Sequence, residues 1–179
     1  VATIPTAVIG LAFNDLFAAM YLSYLAIGIG LLFTGTILFA AERIGQGKKG
    51  VREMSFGHAL LIGLMQGVAI CPGVSRSGST LVGGLFSGLN REFGVKFAFL
   101  ISIPTILGSV ILEAPAAFAQ GTDPTFVLPI LCGVVVSAVS GFVAIKVMIR
   151  FVTGNKLYYF SFYTWILGAA VVLYACFGV

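Results

Sequence analysis

Residues 57–89 read GHALLIGLMQGVAICPGVSRSGSTLVGGLFSGL, two apolar arms around a polar turn whose one charge is Arg76. The arms, 57–70 and 79–89, hold 14 and 11 residues, so as helices they reach only ~21 and ~17 Å. A bilayer core of about 30 Å needs roughly 20 apolar residues in one helix. Neither arm can cross alone. Together they form a hairpin that enters and leaves a membrane on one face, with CPGVSRSGST (71–80) at its tip.

The rest of the chain supplies the membrane context. Of 179 residues, 59% are hydrophobic and 9% charged, against about 25% charged in a soluble domain. Mean hydropathy is +1.10. These values describe an all-α integral membrane protein, and they exclude a water-facing globular domain. The net charge of +4 reads as topological anchoring rather than nucleic-acid binding. Cys71, Cys132 and Cys176 lie in apolar surroundings with no framework spacing, as buried small hydrophobes do.

Spans are expected at 18–41, 93–115 (with Pro104 as a kink), 125–149 and 157–178, the last entered through YYFSFYTW. Residues 1–13 are too short to span, NDLF reads as a turn, 43–55 as a polar loop and AQGTDP (119–124) as a short one. The whole reads as a single transmembrane domain over 1–179. Val1 starts inside an apolar run without Met or signal peptide, which leads us to expect a fragment lacking an N-terminal portion.

Charge placement tests the hairpin. If it is re-entrant, Arg43, Lys48, Lys49, Arg52, Arg91, Lys96, Lys146, Arg150 and Lys156 all fall on one side, and AQGTDP opposite carries no Lys or Arg. That is the positive-inside pattern, which makes this face cytoplasmic. A crossing by either arm alone would break it. Gly63 with Gly67, Gly84 with Gly88, and Gly133, Ser137 and Gly141 have the small-residue spacing of close helix packing.

Irregular backbone at membrane depth must be buried in protein or line a cavity. Pro72 ends the first arm, and Gly73 and Gly78 permit unusual backbone angles. The second arm starts near Ser77–Thr80 and aims its N-terminus inward, where unpaired N–H groups and a partial positive charge suit an anion. Ser75, Ser77, Ser79 and Thr80 add hydroxyls, and the Arg76 fork matches phosphate oxygens. An intramembrane arginine also fits a structural role, satisfying carbonyls of broken helices. Together these residue types point to an oxyanion site, with phosphate the best fit.

GLMQGVAICPGVSRSGSTLVGG (63–84) closely resembles a signature of the bacitracin-resistance family of undecaprenyl-diphosphate phosphatases. FAFLISIPTILGS and AAERIG resemble the flanking helices. The resemblance covers essentially the whole chain as the C-terminal two-thirds of such an enzyme. It implies half of an inverted-repeat fold, with two re-entrant hairpins meeting near midplane. It also implies a multi-pass protein of the bacterial plasma membrane that hydrolyses a C55 polyprenyl diphosphate, recycles the cell-wall lipid carrier and confers bacitracin resistance. The active site would open to the extracytoplasmic side.

On this resemblance Arg76 holds the diphosphate, with Ser75 and Thr80 contacting it or supporting the loop. Gln66, Gly73, Ser77 and Gly78 fall to substrate binding. A divalent metal, Mg or Ca, is implied, with its carboxylate ligands in a second, glutamate-rich signature that this chain does not contain. A homodimer is compatible with the resemblance. His58 lies about 20 Å along a helix from Cys71 and reads as interfacial, and Cys71 has no base within reach for a nucleophilic role. Glu42, Glu53 and Glu92 read as solvated or salt-bridged, Glu113 as near the far interface, and no carboxylate pair has metal-site spacing. The physics of the tip also fits a transporter or flippase of a phosphate-bearing polyprenyl lipid, or a truncated non-catalytic fragment.

Overall fold

The computed structural model describes residues 1–44, 47–119 and 127–177. Among them run eight helices: α1 (Thr3–Ala12), α2 (Asn14–Tyr21), α3 (Tyr24–Glu42), α4 (Phe56–Val68), α5 (Arg76–Phe86), α6 (Arg91–Ala119), α7 (Val127–Thr153) and α8 (Leu157–Phe177). No strand occurs among the described residues. Four segments are long and apolar enough to cross a membrane: Tyr24–Glu42, Arg91–Leu112, Leu128–Thr153 and Leu157–Phe177. The protein is a multi-span helical membrane protein. The expected loop at 119–124 lies largely outside the described residues, as does part of the loop at 43–55.

Two sequence expectations change near the N-terminus. NDLF is not a turn. The chain breaks at Phe13 (φ −118°, ψ 22°) and Asn14–Tyr21 is helical, so that α1 and α2 meet at 75°. The first span begins at Tyr24 rather than 18, because Leu22 and Ser23 close the end of α2 on Ala19 and Met20. The Ser23 hydroxyl then accepts from Ala26 N at 3.3 Å and caps α3.

In a bilayer, helices associate by close packing rather than by leaving water, and glycines mark where this occurs. A Cβ on Gly28 would lie 2.6 Å from Val172 Cγ2, and one on Gly35 2.4 Å from the Trp165 ring. Gly168 similarly admits Leu31 and Leu32. These three positions seal α3 against α8. Gly63 and Gly67 admit α1 instead: a Cβ would meet Ala2 O at 2.1 Å and Ile9 Cδ1 at 2.4 Å. The expected packing stripe on α7 has no counterpart among the described residues, since Gly133 and Gly141 face open space.

α4 and α5 form a helix hairpin packed between α1, α3 and α6. Its two open ends lie together: Lys49 N donates to Gly88 O, Asn90 N donates to Lys49 O, and Lys49 Nζ reaches His58 Nε2 at 3.1 Å. His58 Nδ1 accepts from Ser55 N, and Ser55 Oγ accepts from His58 N to complete the N-cap of α4. Next to them Arg91 meets Glu42 at the end of α3. The tip lies at the other end of the hairpin, against the middle of α3. A Cβ on Gly30 would lie 2.2 Å from Pro72 O, and one on Gly73 2.1 Å from Ile27 O. Gly73 is also at φ +81°, so only glycine fits there on both counts.

Candidate anion site at the hairpin tip

The tip is built from the backbone outward. The turn closes on itself through Cys71 N to Val68 O and Val74 N to Cys71 O. Ser75 then caps α5, its hydroxyl accepting from Gly78 N at 3.1 Å while Ser79 N donates to Ser75 O at 2.8 Å. The N–H groups of Arg76 and Ser77 have no partner within the helix, as in the first turn of any α-helix. They lend that end a partial positive charge. Arg76 therefore starts α5 one residue or more before the expected Ser77–Thr80.

The half-buried Arg76 borders two cavities. The larger, about 670 Å³, lies between α1, α2 and α6, and Thr6, Asn14, Tyr21, Thr105 and Ser109 give it polar walls. The smaller, about 410 Å³, is lined by Ala69, Ser77, Ala98, Phe99, Ser102 and Ile106. Among the described residues Arg76 forms no ion pair, and no carboxylate lines either cavity.

The expected site residues divide into two groups. Arg76 and Ser77 line cavities. Ser75, Gly73, Gly78 and Thr80 shape the tip instead. Gly73 faces α3, Gly78 is buried with its N–H held by Ser75, and the Thr80 hydroxyl donates back to Arg76 O at 2.8 Å. Of the two roles expected for Thr80, loop support fits its 1% exposure. Gln66 lines neither cavity. It is fully buried, with Nε2 donating to Thr105 Oγ1 at 2.6 Å and Oε1 unpartnered. It acts one residue away from the cavity, by holding Thr105.

Sequence reasoning missed the polar wall of α6. Ser102, Thr105 and Ser109 fall at intervals of three and four, on one helical face, a signal present in the sequence and not used. Asn14 and Tyr21 reach the cavity only because α1 and α2 bend.

A divalent cation does not fit the described residues. No three of His, Cys, Asp and Glu come together among them, whereas such ions require clustered oxygen donors. Glu42 is engaged by Arg91, Glu92 by Lys96 at 2.5 Å, and Glu53 by Gly50 N.

With this geometry in hand, comparison with known proteins is decisive. The family model described as bacitracin resistance protein BacA matches residues 1–170. The chain belongs to that family. Among curated relatives of the chain is an undecaprenyl-diphosphatase of Alkaliphilus metalliredigens, 49% identical over 175 residues, covering 98% of this chain and 64% of the relative. One from Carboxydothermus hydrogenoformans is 40% identical, over 96% of this chain and 66% of the relative. A third, from Methanothermobacter thermautotrophicus, is 35% identical over 96% of both. The chain thus spans a little under two thirds of the length of the first two.

Proposed function

We propose that the full-length protein hydrolyses undecaprenyl diphosphate to the monophosphate at the hairpin tip, recycling the lipid carrier of the cell wall and so conferring bacitracin resistance. One observation carries this reading. Arg76 stands at a helix N-terminus bordering two cavities, in an otherwise apolar bundle, without a carboxylate partner among the described residues. A charge kept at such depth is costly unless paired, and an anionic ligand is the partner this surrounding suits. The family membership and the activity named for the relatives support a prenyl diphosphate as that anion.

The chemistry follows from the charge. Hydrolysis breaks the phosphoanhydride P–O bond; water supplies oxygen to the departing phosphate, and negative charge builds on the bridging oxygen. The bidentate Arg76 fork and the free N–H groups of Arg76 and Ser77 neutralise charge on the diphosphate as it develops. Thr105 and Ser109 on the cavity wall offer further hydrogen bonds. The resemblance implies Mg or Ca; the described residues do not supply its ligands, and the role of Arg76 does not depend on it.

In this reading the hairpin over 57–89 re-enters the membrane from the cytoplasmic face, supported by its tip packing at mid-α3. The membrane is the bacterial plasma membrane, and the head group enters from the extracytoplasmic side. The test uses full-length protein in liposomes carrying a C55 prenyl diphosphate. Release of inorganic phosphate with appearance of the monophosphate supports hydrolysis. Movement of intact diphosphate between leaflets without phosphate release would make the protein a transporter instead.

A further inference from the structure

Thr34 stands near the middle of α3, ten residues from its first and eight from its last. It is fully buried. Its hydroxyl accepts from Ser75 N at 3.0 Å and lies 3.1 Å from Gly73 O and 3.0 Å from Gly30 O. A hydroxyl carries one proton and can accept twice, so the proton is shared between the two carbonyls while a lone pair holds Ser75.

Many membrane threonines only bond back to the carbonyl four residues earlier. Thr153 and Thr164 bond only to carbonyls of their own preceding turn, and Thr36 does so while accepting from Trp165 Nε1. Thr34 differs in gripping the hairpin tip on both sides of Val74. The turn's own bonds end at Val74 N, and the next residues are Ser75, which caps α5, and Arg76. Backbone contact at Gly30 and Gly73 removes slack between tip and helix. The Thr34 hydroxyl is thus the polar fastener that sets the register of Ser75 against α3.

We infer that Thr34 is a positioning residue for the anion site: its hydroxyl holds the Gly73–Ser75 turn and thereby sets where Arg76 and the first turn of α5 meet a diphosphate. This rests on the anion-site reading of Arg76 given above. Thr34 touches no ligand itself. Its contribution is geometric, and displacement of about 1 Å at a reacting centre can cost on the order of a hundredfold in rate.

The experiment compares Thr34→Val, Thr34→Ser, Thr36→Val and Arg76→Ala in the full-length protein in detergent. It reads kcat and KM for phosphate release, inhibition by inorganic diphosphate, and thermal melting. Thr34→Val should melt below the parent yet stay folded at the assay temperature, while kcat/KM of the folded protein falls about tenfold or more, with inhibition by inorganic diphosphate weakened in parallel. Thr34→Ser should restore both, and Thr36→Val, which loses a hydroxyl of the same helix that does not touch the tip, should match the parent in kcat/KM and in inhibition by inorganic diphosphate.

Parental kcat/KM in Thr34→Val, with Arg76→Ala inactive, overturns the Thr34 inference alone. So does a Thr34→Ser variant as impaired as Thr34→Val. Parental turnover in Arg76→Ala removes the anion-site reading and this inference with it. Should Thr34→Val not fold, Thr34→Ala makes the same comparison without adding volume.

Discussion

Arg91 Nη1 lies 3.2 Å from Glu42 Oε2, with the two side chains only 6% and 13% exposed. The pair joins four helix ends. Arg91 at the start of α6 also donates to Glu42 O, Ile44 O and Val152 O, while Glu42 accepts from Leu157 N at the start of α8. Glu42 Oε2 is thus held by both Arg91 and Leu157 N. Removing one partner leaves the other buried and unpaired, which costs about 3–5 kcal/mol. Arg91→Ala and Glu42→Ala should each sharply lower the melting temperature in detergent, and the double variant should lose less than the sum.

Gly28 and Gly35 predict where the bundle cannot take volume. At Gly28 an added Cβ meets Val172 N at 3.0 Å as well as its side chain, so backbone must move. Gly28→Ala should destabilise by about 1–3 kcal/mol. Gly133→Ala and Gly141→Ala, which open into space, should melt as the parent does.

Gln66 and Thr105 predict an effect on both stability and the site. Thr105→Val leaves the buried Gln66 amide without its acceptor, a loss of about 1–3 kcal/mol. It also strips a hydroxyl from the larger cavity. Lowered melting together with a raised KM for prenyl diphosphate is the expected outcome, and Thr105→Ser should recover much of both.

Topology is tested at Lys48, which is exposed beside the open end of the hairpin. Lys48→Cys in sealed vesicles should react with an impermeant thiol reagent from the cytoplasmic side alone. Reaction from the outside would overturn the re-entrant arrangement.

The hairpin was legible because two independent physical signals agreed. Its arms are too short to span, and its turn is too polar to lie in lipid. The bend between α1 and α2 was not, because Asn14 and Asp15 suit either a turn or the first residues of a helix. On either side of the break at Phe13, α1 packs on α4 and α2 on α3, partners the local sequence does not announce. Small-residue spacing showed that helices could be approached closely, but not by which partner: Gly63 and Gly67 admit α1, while Gly133 and Gly141 meet nothing among the described residues.

At the site, the placement of Arg76 and Ser77 at the start of a half-helix beside a cavity could be read from residue type and arm length. Loop-shaping roles were open to Gly73 and Thr80 in the sequence, but the partners that Gly73 and Gln66 meet were not. They depend on which helix lies alongside, and Thr34 in the apolar run GLLFTGTILF is indistinguishable by sequence from Thr36 two residues on. One grips the tip, and the other accepts from Trp165 Nε1.

The central claim is that Arg76 holds a diphosphate by its planar fork. Its most direct test is the rate of phosphate release from a long-chain prenyl diphosphate by full-length Arg76→Ala and Arg76→Lys, measured on folded protein. Both should be nearly inactive, with lysine recovering little because a point charge cannot reproduce the bidentate geometry. Turnover near that of the parent in Arg76→Ala would contradict the account.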